Sequence, residues 1–264
     1  MTQKRTVELR TVQSVAFKVL TEALKELLTD TCLEFDETGL KVVAMDTSHV
    51  VLVHMKLDAS KFEYYHCNVP AGGKVTIGVN MLNLHKLIKT INNSDTLTMF
   101  VDSDDINHLG IRIENSEKNT KTTYKLNLLD LDNTNISIDP TEFPAVINLP
   151  STDFQKICRD MHNLADLMEI KNINNQLIFS CKGDFCSQET ILADYDSGSG
   201  SEVVAAKSEI IQGVFTIKHL VLFTKCTNLC NTVQIFLRND FPLIIRYSVA
   251  SLGEIKLCLA PHTA

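Results

Sequence analysis

Apolar residues recur along this chain in two rhythms. From Ser14 to Leu28 they fall three or four apart, which places Ala16, Leu20, Ala23, Leu24 and Leu27 on one face of a predicted helix. The runs 31–36, 40–45 and 50–57 that follow alternate or are β-branched, as strands are, and Glu37-Thr38-Gly39 supplies a turn. The same order then repeats. A helix near Asn80 to Ile91, burying Leu84, Leu87, Ile88 and Ile91, precedes strands near 96–101, 108–114 and 122–128. A third helix, with Ser151 as its N-cap and Asp153 in its first turn, runs to about Asn163 and buries Phe154, Ile157, Cys158 and Met161. Its strands lie near 167–172, 176–181 and 189–194, with Asn174-Asn175 at a hairpin. A fourth helix runs from about Ile217 to Cys226, before strands near 232–237, 241–248 and 253–260. One more strand precedes each copy, at 5–10, 74–78, 142–148 and 210–216.

Four copies of one supersecondary unit are an internal repeat. Pairing them gives an α+β fold of two similar domains, 1–127 and 142–264, each with two helix-plus-three-strand repeats. Residues 128–141 form an interdomain connector, in which Leu128, Leu129, Leu131, Ile136 and Ile138 are strung on an acidic stretch that ends at Pro140. Its composition suits a solvated linker, whereas the spaced Leu and Ile hint at docking. Asp196 to Ser201 reads as a plain loop. No apolar run is long enough to span a bilayer and the first 30 residues do not look like a signal peptide, so a soluble intracellular protein with no membrane partner is expected. The eight Cys are widely spaced and read as thiols.

A formal net charge of −7 argues against nucleic acid until its distribution is considered. The four helices hold eight Lys or Arg and four Asp or Glu, a net +4, which leaves −11 for the rest of the chain. Helical-wheel placement sets Lys18 and Lys25 opposite the first apolar face, with Glu22 nearby, and turns Lys86 and Lys89 outward on the second helix. Lys156 and Arg159 lie outward on the third, beside Asp160; on the fourth, Lys218 and Lys225 are seven apart with Leu222 close to them. Lysines on the polar face of one helix are ordinary solubilising charge, but recurrence in four repeats describes a surface for a polyanion on a body that otherwise repels it. Nothing resembles a base-reading helix, a zinc finger or an aromatic stacking platform, so sequence-specific binding is not expected.

Catalytic motifs for nucleotide hydrolysis, zinc proteolysis and serine hydrolysis are absent from the sequence. Cys226 with Cys230, and Cys181 with Cys186, lack structural zinc spacing, and Asp102-Ser103-Asp104-Asp105 lacks the pattern of a calcium loop. No metal, cofactor or enzymatic activity is expected. A metal-dependent nuclease using the Asp-rich turns remains a remote alternative.

Thr21-Glu22-Ala23-Leu24-Lys25-Glu26-Leu27 with Cys32, Met45-Asp46-Thr47-Ser48-His49-Val50, Leu128 to Asp132, Cys158-Arg159-Asp160, Phe223-Thr224-Lys225 and Leu259-Ala260-Pro261 together resemble the proliferating cell nuclear antigen family over nearly the whole chain. The resemblance implies the DNA clamp fold, a homotrimeric ring with helices lining its hole and sheets outside. It also implies a DNA polymerase processivity factor that encircles duplex DNA and recruits replication and repair proteins in the nucleus, or in a viral replication compartment. By matching position, Lys18, Lys25, Lys86, Lys89, Arg159, Lys218 and Lys225 would face DNA. Partners with a short motif of Gln and two aromatics, among them the polymerase and the clamp loader, would dock on Met45, His49, Val50, Leu52, Ile136, Ile138, Pro242, Leu259, Ala260 and Pro261. Two further copies would join through open strand edges carrying Tyr124 and Leu126, and Ile191 and Ala193. A subunit of a heterotrimeric DNA-damage checkpoint clamp is the nearer alternative. The chain departs from the family at Cys258, usually Tyr; at Ile136-Ser137-Ile138-Asp139-Pro140 in the connector; at Val19, usually Lys; and at Asn174, where cellular relatives have a modified Lys. Its Asn68 to Thr76 loop also looks long, and these differences suit a divergent or virus-encoded member.

Overall fold

The structure, a computed structural model, describes residues 4–70, 72–132, 136, 141–173, 176–193, 196–197 and 210–262. The chain divides into two compact units, one formed by Met1–Thr47, Val53–Ser137 and Ser248–Ile255 and the other by Ser48–Leu52, Ile138–Tyr247 and Lys256–Ala264.

In chain order the first half comprises β1 (Arg5–Thr11), α1 (Ser14–Leu27), β2 (Asp30–Asp36), β3 (Gly39–Met45), β4 (Val51–Asp58), β5 (Tyr64–Cys67), β6 (Val75–Asn80), α2 (Met81–Ile88), β7 (Asp95–Asp102), β8 (Asp105–Asn115) and β9 (Thr120–Asn127). The second half comprises β10 (Ala145–Pro150), α3 (Ser151–His162), β11 (Leu167–Ile173), β12 (Gln176–Lys182), β13 (Ser187–Ala193), β14 (Asp196–Ser197), β15 (Ile211–Thr216), α4 (Ile217–Phe223), β16 (Thr232–Leu237), β17 (Leu243–Val249) and β18 (Gly253–Leu259). The first unit holds a sheet of order β5-β1-β7-β8-β9 and a run β4-β3-β2-β6; the second holds β13-β12-β11-β15 and a run β14-β10-β16-β17-β18. In both units two helices supply the apolar stripes that cover sheet faces, and the core is aliphatic and aromatic.

Local chemistry sets the turns. The Asp36 carboxylate accepts hydrogen bonds from the Thr38 and Gly39 amides, the Thr38 hydroxyl and Lys41. Burial would raise its pKa, but the bonds from Lys41 and Thr38 prevail and pull it down to about 2. Gly39, at φ 139°, closes this hairpin because a Cβ there would lie 1.9 Å from the Leu57 carbonyl oxygen.

Several sequence expectations need correction. Phe17, not Ala16, is the buried residue at that level of α1, and Ala16 and Leu87 are half-buried. The fourth helix is α-helical only to Phe223 and then tightens into a 3₁₀ stretch, Thr224–Leu229. Ser151 is the first helical residue of α3, with Pro150 at the cap position and no side-chain cap bond. Strand β5 was not anticipated, because its residues alternate between exposed and half-buried and so show no buried period. Asp196 and Ser197 pair with Asn148 and Ile147 instead of looping. The strand expected at 74–78 is β6, which takes Val75 and Thr76 from the end of the Asn68 to Thr76 loop, and the Asn68 amide donates to Thr6. Residues 174 and 175 lie outside the described residues.

Candidate nucleic-acid interface and partner surface

Helix α1 arises from apolar residues at 17, 20, 24 and 27, which bury one stripe against the sheet and α2. Asn80 caps α2 by accepting from the Asn83 amide at 3.0 Å. The polar faces of this pair carry Lys18, Lys25, Lys86 and Lys89, the last two exposed. Lys18 is half-buried and its Nζ donates to the Ile91 carbonyl at 3.2 Å, at the carbonyl end that follows α2. Lys25 Nζ lies 2.9 Å from Glu26. Between the helices, His85 Nδ1 meets Thr21 Oγ1 at 3.2 Å. Burial, then Lys25, with Lys89 and Lys18 adding and Glu22 opposing, lowers the pKa of this imidazole below the usual histidine range.

In the second unit, α3 buries Phe154, Ile157, Cys158 and Met161 and leaves Lys156 and Arg159 exposed. Helix α4 packs on α3, and Gln155 Nε2 donates to the Thr224 carbonyl at 3.1 Å, tying α3 to the 3₁₀ stretch. Lys218 and Lys225 are exposed, and among the described residues none of these four cations has an ion pair. Each unit thus displays a helix pair carrying four Lys or Arg against two Asp or Glu.

The residues expected to receive a partner peptide fall in both units. In the first, Met45 is 40% exposed at the end of β3 and Ile136 is half-buried. The start of the connector is not a free linker. The Leu129 amide donates to the Gly78 carbonyl at 2.8 Å, and Gly78 permits this approach because a Cβ would sit 2.3 Å from the Leu129 oxygen. In the second unit the Ala260 amide donates to Val50 at 3.0 Å, which brings Val50, Leu52 and the 260–261 segment together. His49 is exposed with φ 55°, and Pro242, Ala260 and Pro261 are half-buried. Leu259 is fully buried, so it supports the strand from beneath and presents no apolar surface to a ligand, contrary to expectation. Ile138 lies outside the described residues.

Sequence reasoning missed the neighbours of Pro242 and Pro261. A cavity of about 740 Å³ is lined by Ile210, Val214, Phe241 and Pro261 with Gln212 and Asp240. Phe241 is fixed by Phe143, whose ring centroid lies 5.5 Å away, while Phe143 also meets Phe236 at 5.7 Å and Arg238 lies 5.4 Å from the Phe241 ring. The Phe-Pro pair at 241–242 was the available signal. Burial pushes the Cys258 thiol up to about 11, so it acts as a small apolar group.

Strands β9 and β13, like β5, β6, β14 and β15, end their sheets among the described residues. β9 pairs only with β8, and its Tyr124 and Leu126 are half-buried between exposed neighbours; β13 pairs only with β12, and its Ile191 is 51% exposed. Of Ala193 the backbone alone is described, opposite Gln176. In the Asp-rich turn, Asp102 is buried with Arg5 Nε 3.7 Å away, while Asp105 holds His108 at 2.5 Å and Lys125 at 2.7 Å. These carboxylates are occupied by side-chain cations.

The model of the proliferating cell nuclear antigen N-terminal domain matches residues 6–135, and that of the C-terminal domain matches residues 137–262. The chain is 34% identical over 257 residues to the probable DNA polymerase sliding clamp 1 of Paramecium bursaria Chlorella virus 1, covering 96% of this chain and 95% of that protein. It is 30% identical over 295 residues to the probable DNA polymerase sliding clamp of Acanthamoeba polyphaga mimivirus, covering 97% of this chain and 62% of that longer protein.

Proposed function

The chain belongs to the proliferating cell nuclear antigen family, and from that premise we propose that it is a DNA polymerase sliding clamp, a non-enzymatic processivity factor that encircles duplex DNA without reading its sequence. The α+β clamp fold is the family's. The observation that carries the functional reading is the segregation of charge: two helix pairs with outward Lys and Arg on a chain whose net charge is −7. Such a surface holds the phosphate backbone through weak, replaceable contacts, which permits sliding, while the acidic remainder limits adhesion elsewhere.

Three copies form the ring, joined where the open edge of β9 meets the open edge of β13 in a neighbouring copy. Lys18, Lys25, Lys86, Lys89, Arg159, Lys218 and Lys225 face the DNA, and the 740 Å³ cavity beside Pro261 extends the surface that takes a partner's aromatic motif. A clamp loader opens the ring, and the protein works where DNA is replicated, in a nucleus or a viral replication compartment. The test is polymerase processivity on primed circular DNA with a loader supplied. Lys25→Glu combined with Lys86→Glu is expected to abolish the stimulation. Full stimulation by that double variant would remove the DNA-facing assignment, and a monomeric mass in light scattering would remove the ring.

A further inference from the structure

His85 has no role in the reading above, yet it sits where α1 and α2 meet, among most of the cations that reading assigns to DNA in this unit. Its Nδ1 lies 3.2 Å from Thr21 Oγ1, and the same hydroxyl lies 3.2 Å from the Lys18 carbonyl oxygen. A carbonyl can only accept, so the single hydroxyl proton goes to Lys18 and the Thr21 oxygen accepts from His85 Nδ1–H. The neutral imidazole therefore carries its proton on Nδ1 and a lone pair on Nε2, which has no partner among the described residues. A lone pair repels a phosphate oxygen. Once Nε2 is protonated it becomes a charged donor beside Lys25 and Lys89.

We propose that His85, with Lys25 and Lys89, forms a node on the α1–α2 surface that grips a backbone phosphate of duplex DNA through a proton the imidazole takes up on binding. This inference rests on the DNA-encircling reading and names one point of contact within it. In the free protein the groups acting on His85 from α1 are Lys18, Glu22 and Lys25, and from the segment after α2, Lys89. The three lysines oppose its protonation and Glu22 favours it. A phosphate placed among the lysines cancels their repulsion, so the proton and the DNA bind cooperatively. The sign follows: because the bound form holds one more proton, affinity rises as pH falls through the histidine range. Lys18 contributes its field, but its ammonium is already directed to the Ile91 carbonyl.

The test is the affinity of the full-length protein for a fluorescent duplex oligonucleotide at about pH 6 and about pH 8, at constant ionic strength, for the wild type, His85→Gln and His85→Lys. One linked proton allows at most about tenfold per pH unit, and a lowered starting pKa makes roughly three- to tenfold tighter binding at the lower pH the expected result. His85→Gln should lose that gain, and His85→Lys, which carries a permanent charge, should bind tightly at both values. Residual pH dependence shared by all three proteins belongs to other histidines and is subtracted. A wild-type ratio retained in His85→Gln, or His85→Lys no tighter than His85→Gln at the higher pH, overturns the node while leaving the clamp intact. No duplex binding by the wild type at either pH would remove the DNA reading itself, and the node with it.

Discussion

In the α1–α2 pair the cations are partly held by the protein itself: Lys18 donates to a backbone carbonyl, Lys25 lies against Glu26, and His85 sits between the helices on Thr21. In the α3–α4 pair Lys156, Arg159, Lys218 and Lys225 project into solvent. The two pairs share a packing plan, since the first helix of each buries a phenylalanine, Phe17 beside Phe62 and Phe154 beside Phe179, both at 6.4 Å, although α4 adds a second buried one, Phe223. What differs is how tightly the charge is positioned. A held ammonium stabilises the fold and has less freedom to follow a moving phosphate, whereas an exposed one adds little to stability and keeps its full charge for the ligand.

The comparison breaks at its base if the packing is not equivalent. Phe17→Ala and Phe154→Ala are each expected to lose about 3–5 kcal/mol in urea unfolding, the usual cost of removing a buried phenyl ring. A difference between them of more than about 2 kcal/mol would show that one helix pair is anchored elsewhere.

Charge gives the next largest contrast. Arg159→Ala should reduce the salt dependence of duplex binding by about 0.9 in slope, the value for one lost phosphate contact, with stability unchanged within about 0.5 kcal/mol. Lys18→Ala should do the reverse, losing about 1 kcal/mol of stability with a smaller change in slope, because its hydrogen bond to Ile91 is internal. Equal behaviour of the two variants would mean that the Lys18 ammonium is no more tied to the fold than the Arg159 guanidinium.

The helix starts sharpen the comparison further. α2 opens with the Asn80 cap, and Asn80→Ala should cost about 0.5–1 kcal/mol, detectable as a lower urea midpoint. A change below about 0.2 kcal/mol would mean that neither the cap nor the bond from Asn80 Nδ2 to Asp30 at 2.8 Å stabilises the helix start, since alanine removes both.

Much of this was legible because period and burial coincide. The stripes of α1 and α3 and the alternation of β2, β4 and β16 each bury one face, so the apolar spacing reports the element directly. Where burial is absent the signal fails, as in β5. Sites assembled across long sequence separations were hidden for a different reason. Phe143 gives no hint that it meets Phe236 and Phe241, and His85 none that its partner is Thr21, 64 residues earlier. The outward placement of Lys86, Lys89 and Arg159 followed from helical phase alone, whereas phase left Lys218 and Lys225 beside Leu222, Lys225 lies in the 3₁₀ stretch, and the tether on Lys18 depends on where the chain leaves α2. Burial of Leu259 was obscured by its position in the Leu259-Ala260-Pro261 motif, where the next two residues are half-buried and it is not.

The smallest predicted effect concerns the start of α3, where sequence and structure disagree about one hydroxyl. A serine ahead of a helical run with an aspartate two residues later is a common cap pattern, yet Ser151 is already helical and Pro150 occupies the cap position. Its amide is satisfied by the Asn231 carbonyl at 2.9 Å, while its Oγ is buried without a hydrogen-bond partner among the described residues. A buried, unpaired hydroxyl contributes no stability that alanine would forfeit, and alanine has the better helix propensity. Ser151→Ala is therefore expected to be neutral or stabilising by up to about 0.5 kcal/mol, against the loss expected at Asn80. Urea unfolding of the two single variants side by side is the measurement. A loss of about 1 kcal/mol or more at Ser151 would mean that the hydroxyl does cap α3, and that the two helix pairs begin in the same way after all.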